Sequence, residues 1–171
     1  MCALGACGPA FDPVGLRVST LSRDASGVTL RDETSGVSFT VGVEPTRGEV
    51  QRRGTIRHLR VDAVPAGAAR GQIVDVVSSP EAPTDPREHV ETLVAVAQER
   101  GHLASRAARF HHGHPAMLLT LDEVHGADGH VARVLVVSDG RVAAMLTDVV
   151  PAAAPEGTSQ RFFDALRLPG D

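Results

Sequence analysis

The sequence HVARVLVVSDGRVAAMLTDVV, residues 130–150, contains two largely apolar runs separated by Asp139-Gly140. This dipeptide predicts a two-residue hairpin turn between strands over 130–138 and 142–150, because both residues tolerate the positive φ that such a turn requires. The first run, VARVLVV, is apolar on both faces of a strand and so predicts a central strand that is covered on each side. These residues therefore predict the middle of an antiparallel sheet.

Short stretches that alternate apolar and polar residues occur on the N-terminal side of this hairpin. They predict further antiparallel strands over 15–21, 27–31, 36–43, 55–64, 72–78, 105–111 and 115–124. In 55–64, His58, Arg60 and Asp62 share one face, which we expect to contact water. The polar residues 44–54 predict a loop.

Two helices are predicted late in the chain. Asp85 is suited to cap a helix and Pro86 to occupy its first position, which predicts a helix over 86–100. A single apolar stripe follows at helical spacing: Val90, Leu93, Val94 and Ala97. A second, shorter helix is predicted near 159–167, where Phe162, Phe163 and Leu166 form an apolar face. The predicted fold class is α+β, with a mostly antiparallel sheet and two main helices packed on it.

Length and composition exclude some function classes. The chain has 171 residues, and all 17 of its basic residues are Arg, scattered along a sequence with a net charge of −4. Nucleic acid binding requires a clustered positive surface, so we exclude it. No stretch approaches the roughly 20 apolar residues that a membrane helix needs.

The N-terminal segment Leu4-Gly5-Ala6-Cys7 resembles a bacterial lipobox, in which the cysteine thiol is lipidated after the leader is cleaved. Cys7 is therefore the predicted lipidation site. Only six residues precede it, so we expect the true start of the chain to lie upstream. The alternative is an unanchored N-terminus with two free thiols, Cys2 and Cys7. We expect residues 1–14 to be a tether and residues 15–168 to be a single domain.

Six histidines lie between His102 and His130. His112 and His114 would leave the same face of an extended chain, and His125 and His130 flank a predicted turn. Together these four could bind zinc, copper or nickel, with Asp122, Glu123 or Asp128 as an oxygen ligand. The alternative is a solvated turn, which Gly113 and Pro115 favour.

The sequence contains no recognisable catalytic motif, since the glycine-rich phosphate loops, the nucleophile elbow and the HExxH pattern are all absent. The chain also has no Lys, which removes Schiff-base chemistry. We therefore predict that the protein is not an enzyme and has no cofactor. Arg47, Arg52, Arg53 and Arg57 form a local positive patch in the sequence that could contact an anionic lipid or partner.

Five features in a fixed order carry a family resemblance. They are GVSFTVGVEP at 36–45, the helix from Asp85 to Arg100, RFHHGHPAMLLTL at 109–121, DGRVAAML at 139–146 and SQRFFDALRL at 159–168. From Gly36 to Leu168 this order resembles the PsbP-like and DcrB-like domain family, whose fold is a three-layer α/β/α sandwich. Many members, including the LpqN-like ones, resemble bacterial envelope lipoproteins, and a few resemble cytosolic chaperones for secreted effectors.

The resemblance and the lipobox-like start together predict a non-enzymatic envelope lipoprotein. We expect a lipid anchor to hold it at the membrane and its domain to bind an envelope protein or a small ligand. One alternative is a cytosolic secretion-effector chaperone. The other is a metal-binding protein or metalloenzyme that uses the His111–His130 cluster.

Overall fold

The computed structural model describes residues 10–68, 71–79, 81, 83–124 and 127–171, and in these ranges the chain forms ten strands and three α-helices. The strands are β1 (Val18–Asp24), β2 (Gly27–Asp32), β3 (Ser38–Val41), β4 (Arg47–Arg53), β5 (Ile56–Ala63), β6 (Gln72–Ser78), β7 (His102–His111), β8 (His114–Asp122), β9 (His130–Ser138) and β10 (Val142–Pro151). The helices are α1 (Pro13–Leu16), α2 (Pro86–Gln98) and α3 (Gln160–Asp164), the last preceded by a 3₁₀ turn over Glu156–Ser159. The predicted α+β class is confirmed.

The strands of these residues form two antiparallel sheets. A small sheet contains β1, β2 and β3 in chain order. A seven-stranded large sheet has the order β4-β5-β6-β10-β9-β8-β7, and each neighbouring pair is antiparallel. The strand that carries VARVLVV, β9, lies between β10 and β8, so its predicted central position is confirmed. β4 and β7 are the two edges.

The turn between β9 and β10 is longer than the sequence predicts. Gly140 has a φ of 93°, but Asp139 does not have a positive φ. The Asp139 carboxylate instead accepts hydrogen bonds from two backbone N–H groups of the turn, at 2.7 and 2.8 Å. A two-residue turn with positive φ at both positions occurs between β7 and β8, at His112 (47°) and Gly113 (85°). The hairpin is confirmed, whereas the two-residue turn at Asp139-Gly140 is wrong.

Helix α2 begins where the sequence predicts. The Asp85 carboxylate accepts a hydrogen bond from the backbone N–H of Arg87 at 2.8 Å, and Pro86 is the first helical residue. The buried residues of the helix are the predicted stripe of Val90, Leu93, Val94 and Ala97. In α3, Phe162 and Phe163 are likewise buried, as is Leu166 just after it. Both predicted helices are confirmed, although each is shorter than expected.

The large sheet has a hydrophobic core on each face. Helix α2 packs over β8, β9 and β10, where it buries residues such as Leu119, Val134 and Met145. On the opposite face, the small sheet and α3 bury residues such as Leu59 and Leu146. The layer opposite α2 is therefore built mostly from three strands, and α3 contributes only five residues to it.

Strand β4 corrects the predicted loop over 44–54. It pairs with β5 from Arg47 to Arg53, and no strand of the described residues pairs with its other side, where Ala10 forms a single bridge. An edge strand buries few side chains, so its sequence stays polar and lacks the apolar alternation that identifies other strands. The fold also begins before residue 15, because Ala10 forms a β-bridge with Arg47 and Phe11 packs against the core.

Candidate functional site

Two of the predicted site residues, Cys7 and His125, lie outside the described residues. Of the other predicted metal ligands, His112 is in the β7–β8 turn, His114 begins β8 and His130 begins β9. The register separates them, because Leu121 of β8 pairs with Ala132, two residues from His130. His114 is seven residues further along β8, or about 24 Å in an extended strand. Of the predicted ligands that the structure describes, His112 and His114 therefore do not converge with His130 on one ion.

The histidines of the β7–β8 turn instead contact the C-terminal segment. Nε2 of His111 lies 3.2 Å from the backbone carbonyl of Leu166, and Nε2 of His114 lies 3.0 Å from the Asp171 carboxylate. An Arg167 guanidinium N–H donates to Nε2 of His112 at 2.7 Å. Among the described residues no group of three or more His, Cys, Asp or Glu side chains is placed to hold a metal ion. The turn histidines therefore link the β7–β8 turn to the C-terminal segment through Leu166, Arg167 and Asp171.

A polar cluster occupies the opposite half of the large sheet, on the same face as α2 but over β4, β5 and β6. Three cross-strand pairs build it, each with two polar side chains directly opposite one another. They are Arg47 with Asp62, Glu49 with Arg60, and Gln51 with His58. We call these six residues, together with Asp75 of β6 and Arg100 after α2, the Asp75 face.

Asp75 is the buried centre of this face, with only 3% of its surface exposed. Nε2 of His58 lies 2.9 Å from one carboxylate oxygen, and Arg100 donates to the other at 2.8 Å. A guanidinium nitrogen of Arg60 lies 4.0 Å away. Arg100 also donates to the Thr147 hydroxyl at 3.1 Å, which fixes its second guanidinium nitrogen. One buried carboxylate therefore bonds two basic side chains, His58 and Arg100, and lies near a third, Arg60, which donates to Asp62 at 2.9 Å.

The electrostatics of Asp75 favour its ionised form. Burial raises its pKa, but the hydrogen bond from His58 and the charge and hydrogen bond of Arg100 outweigh that effect, with help from Arg60. The pKa of Asp75 therefore lies below its ordinary value. An ionised carboxylate can only accept, so Nε2 of His58 donates to it.

A cavity of about 330 Å³ lies against the Asp75 face and is lined by the six residues of its cross-strand pairs and by Gly48. Its walls present guanidinium, imidazole and amide donors next to carboxylate acceptors. Arg47 forms no ion pair within 4.0 Å with a carboxylate of the described residues. Chemically, the cavity suits a polar group that has both hydrogen-bond donors and acceptors.

The sequence predicts part of the Asp75 face but not Asp75 at its centre. The predicted wet face of His58, Arg60 and Asp62 is confirmed, since all three are partly exposed. Their partners on β4 were missed because that segment was predicted to be a loop. Asp75 has no sequence signal, since it is a single acidic residue in the apolar run QIVDVVS.

The predicted positive patch is also divided by the fold. Arg57 is buried on the opposite face of the large sheet, where it contacts Asp32. Arg47 lines the cavity, and Arg52 and Arg53 are exposed on the edge strand. These four arginines therefore do not form one surface.

No family model matches the chain, and no curated protein matches it significantly. Among the described residues no helix is both long enough and apolar enough to cross a membrane.

Proposed function

We propose that this chain is a non-enzymatic binding protein of the bacterial cell envelope, anchored through a lipid on Cys7, and that the Asp75 face is its binding surface. The observation that supports this binding surface best is the network in which buried Asp75 bonds His58 and Arg100, with Arg60 close by, beside a cavity. The proposed anchor depends on the lipobox-like segment Leu4-Gly5-Ala6-Cys7.

The cost of burying Asp75 favours a functional explanation of this network. A carboxylate removed from water loses several kcal/mol of solvation, in round terms, and ion pairs of this kind rarely increase stability over apolar replacements. A merely solvated sheet face needs no such group at its centre. Buried, hydrogen-bonded side chains are already ordered before a ligand arrives, so less conformational entropy is lost on binding.

The lining of the cavity limits the class of ligand. Cations and carboxylates alternate across the strands, since Arg47 opposes Asp62 and Glu49 opposes Arg60. A ligand with one kind of charge would lie next to a side chain of the same charge as well as one of the opposite charge. A ligand with both hydrogen-bond donors and acceptors would satisfy each of these side chains. We therefore propose a polar segment of an envelope protein or a small zwitterionic molecule as the ligand.

The resemblance to the PsbP-like and DcrB-like family supports the same proposal, since its members resemble binding proteins and not enzymes. A sheet with packed layers on its two faces is compatible with that family's three-layer sandwich. In this chain α2 would be one outer layer, and α3 with the small sheet would be the other.

Site-specific photocrosslinking in cells tests the binding face. A benzophenone amino acid replaces exposed Gln51 on the Asp75 face, and the matched control places it at exposed Arg31 on the small sheet. We expect a discrete adduct from position 51 that is absent from position 31 and is lost when Asp75→Asn is added. Equal labelling at both positions, or no adduct at position 51, would contradict the proposed face.

The anchor needs a separate measurement. The protein is expressed from its own locus, and its intact mass and detergent-phase partition are determined. We expect a product that begins at Cys7, carries added acyl mass and enters the detergent phase. A product that begins at Met1 and stays in the aqueous phase would overturn the lipoprotein proposal and favour the cytosolic chaperone.

A further inference from the structure

Strand β7 is an unusually exposed edge of the large sheet. It is ten residues long, and every residue from Ala104 to Phe110 is exposed to solvent. On one side it pairs with β8, and no strand of the described residues pairs with its other side. An open edge of this length offers a row of backbone N–H and C=O groups to an added strand.

A groove follows this edge on the α2 side of the sheet. It has a volume of about 310 Å³, and Val90 of α2 and Met117 of β8 are buried at its base. Phe110 of β7 is 70% exposed beside the groove, and the small side chain of Ala108 leaves space next to it. Val90, Met117 and Phe110 give the groove an apolar lining, so it suits an apolar side chain from a partner.

The charge around the groove is positive. Arg87 of α2 lines it, Arg109 of β7 lies beside it with its side chain on the other face of the sheet, and neither forms an ion pair with a carboxylate of the described residues. The carboxylate of Glu91, which also lines the groove, is bound to Arg106 at 2.7 Å. Strand β7 itself contains no acidic residue. The surface is therefore complementary to an acidic partner and not to a basic one.

A second copy of this chain does not fit the edge. Antiparallel pairing of β7 with itself would bring together two edges that each carry Arg106 and Arg109 and no acidic residue. Like charges that face each other across a strand pair destabilise it. The charges of β7 therefore disfavour a symmetric dimer through this edge.

We propose that β7 and its groove bind an extended acidic segment of a partner protein, which adds a strand to the large sheet. Side chains of the added strand alternate between the two faces of the sheet. Apolar residues of the segment lie over Ala108 and Phe110 in the groove, and acidic residues lie beside Arg109 on the other face. This surface is on the edge opposite β4, so it is separate from the Asp75 face.

A synthetic peptide tests the proposal. The probe is Asp-Val-Glu-Phe-Glu-Val-Asp, acetylated, amidated and fluorescently labelled, and its binding to the full chain is measured by anisotropy. One control peptide has Lys at each acidic position, and another has the same composition without alternation. We expect saturable binding of the alternating acidic peptide only, together with slower hydrogen exchange at backbone amides of residues 105–110.

Substitutions at two exposed arginines test whether the peptide binds at β7. Arg109→Glu on β7 should weaken the acidic peptide about tenfold and strengthen the basic one. Arg52→Glu, which makes the same change on the exposed β4 edge, should leave both affinities unchanged. The proposal is overturned if the acidic peptide does not bind at about 1 mM, if both substitutions act equally, or if the chain forms a dimer that Arg109→Glu dissociates.

Discussion

The guanidinium of Arg57 in β5 lies 2.7 Å from the carboxylate of Asp32 in β2, and this ion pair links the large sheet to the small sheet. Both side chains are almost fully buried. Arg57 also donates to the backbone carbonyl of Leu16 at 3.0 Å, and Asp32 accepts from the Ser35 hydroxyl at 2.6 Å. The interface between the sheets therefore contains one satisfied polar network within an apolar core.

Removing one partner of this buried pair should lower the free energy of unfolding far more than removing one partner of an exposed pair. We expect Arg57→Ala to lower the free energy of unfolding by about 3–5 kcal/mol, because Asp32 is then a buried charge without its counterion. Replacing both residues with Leu should cost less than the single change. The measurement is equilibrium urea unfolding at neutral pH.

A matched control is available on the small sheet. Arg23 pairs with Glu44 at the same 2.7 Å, but both side chains are about 60% exposed. Arg23→Ala should therefore change the free energy of unfolding by less than about 1 kcal/mol. Equal losses from Arg57→Ala and Arg23→Ala would show that burial does not strengthen the inner pair.

Gly48 should not tolerate a side chain. A Cβ atom at this position of β4 would lie 2.1 Å from Cδ1 of Leu16 and 3.1 Å from an aromatic carbon of Phe11. Gly48→Ala should therefore lower the free energy of unfolding by about 1–3 kcal/mol through overpacking. Gly157→Ala is the control, because nothing lies within 4 Å of its Cβ position. If the two variants have the same melting temperature, α1 is not packed against β4 as described.

These residues also show which parts of the fold a sequence can predict. Burial on one face leaves a periodic pattern, so the stripe of α2 and the alternation of β5 were predictable. Edge strand β4 has no such pattern, and α1 is only four residues long. The Arg57 and Asp32 pair spans 25 positions of sequence, and no local signal connects two residues at that separation. For the same reason, no local signal identifies Asp75. The sequence also could not show that the register places His114 and His130 far apart.

Asp75→Asn should destabilise the protein most at neutral pH. The pKa of Asp75 is lowered in the folded state, so its contribution to stability is present above the unfolded value of about 3.9 and is lost as pH falls through the folded value. We expect a loss of about 3 kcal/mol near pH 7, because Arg60 and Arg100 lose their shared counterion. The difference between wild type and variant should shrink below about pH 4.

The measurement is unfolding by urea across this pH range, with Asp62→Asn as the control on the same face. Asp62 is bonded to Arg60 at 2.9 Å but is more exposed than Asp75. Asp62→Asn should therefore lower the free energy of unfolding less than Asp75→Asn does at neutral pH. A constant difference between wild type and Asp75→Asn from about pH 3 to pH 7 would contradict an ionised, stabilising Asp75.

Asp148 should show the opposite dependence on pH. It lies in β10 between Gln72 of β6 and Arg133 of β9 and is 8% exposed. Burial raises its pKa, and the nearby polar group of Ser159, the charge of Arg133 and the side chain of Gln72 offset this only in part. The folded protein thus binds the Asp148 proton more tightly than the unfolded chain does. Its stabilising contribution is present below about pH 4 and is lost as pH rises through the raised value.

Asp148→Asn keeps a polar side chain at this position and cannot ionise. The wild type should therefore lose stability relative to Asp148→Asn as pH rises from about 3 to 8, and the variant should have the higher melting temperature at neutral pH. Glu156→Gln, which removes a nearby exposed carboxylate, corrects for the change in net charge. If Asp148→Asn is instead less stable than wild type at neutral pH by more than at acidic pH, Arg133 stabilises the ionised carboxylate more than burial destabilises it.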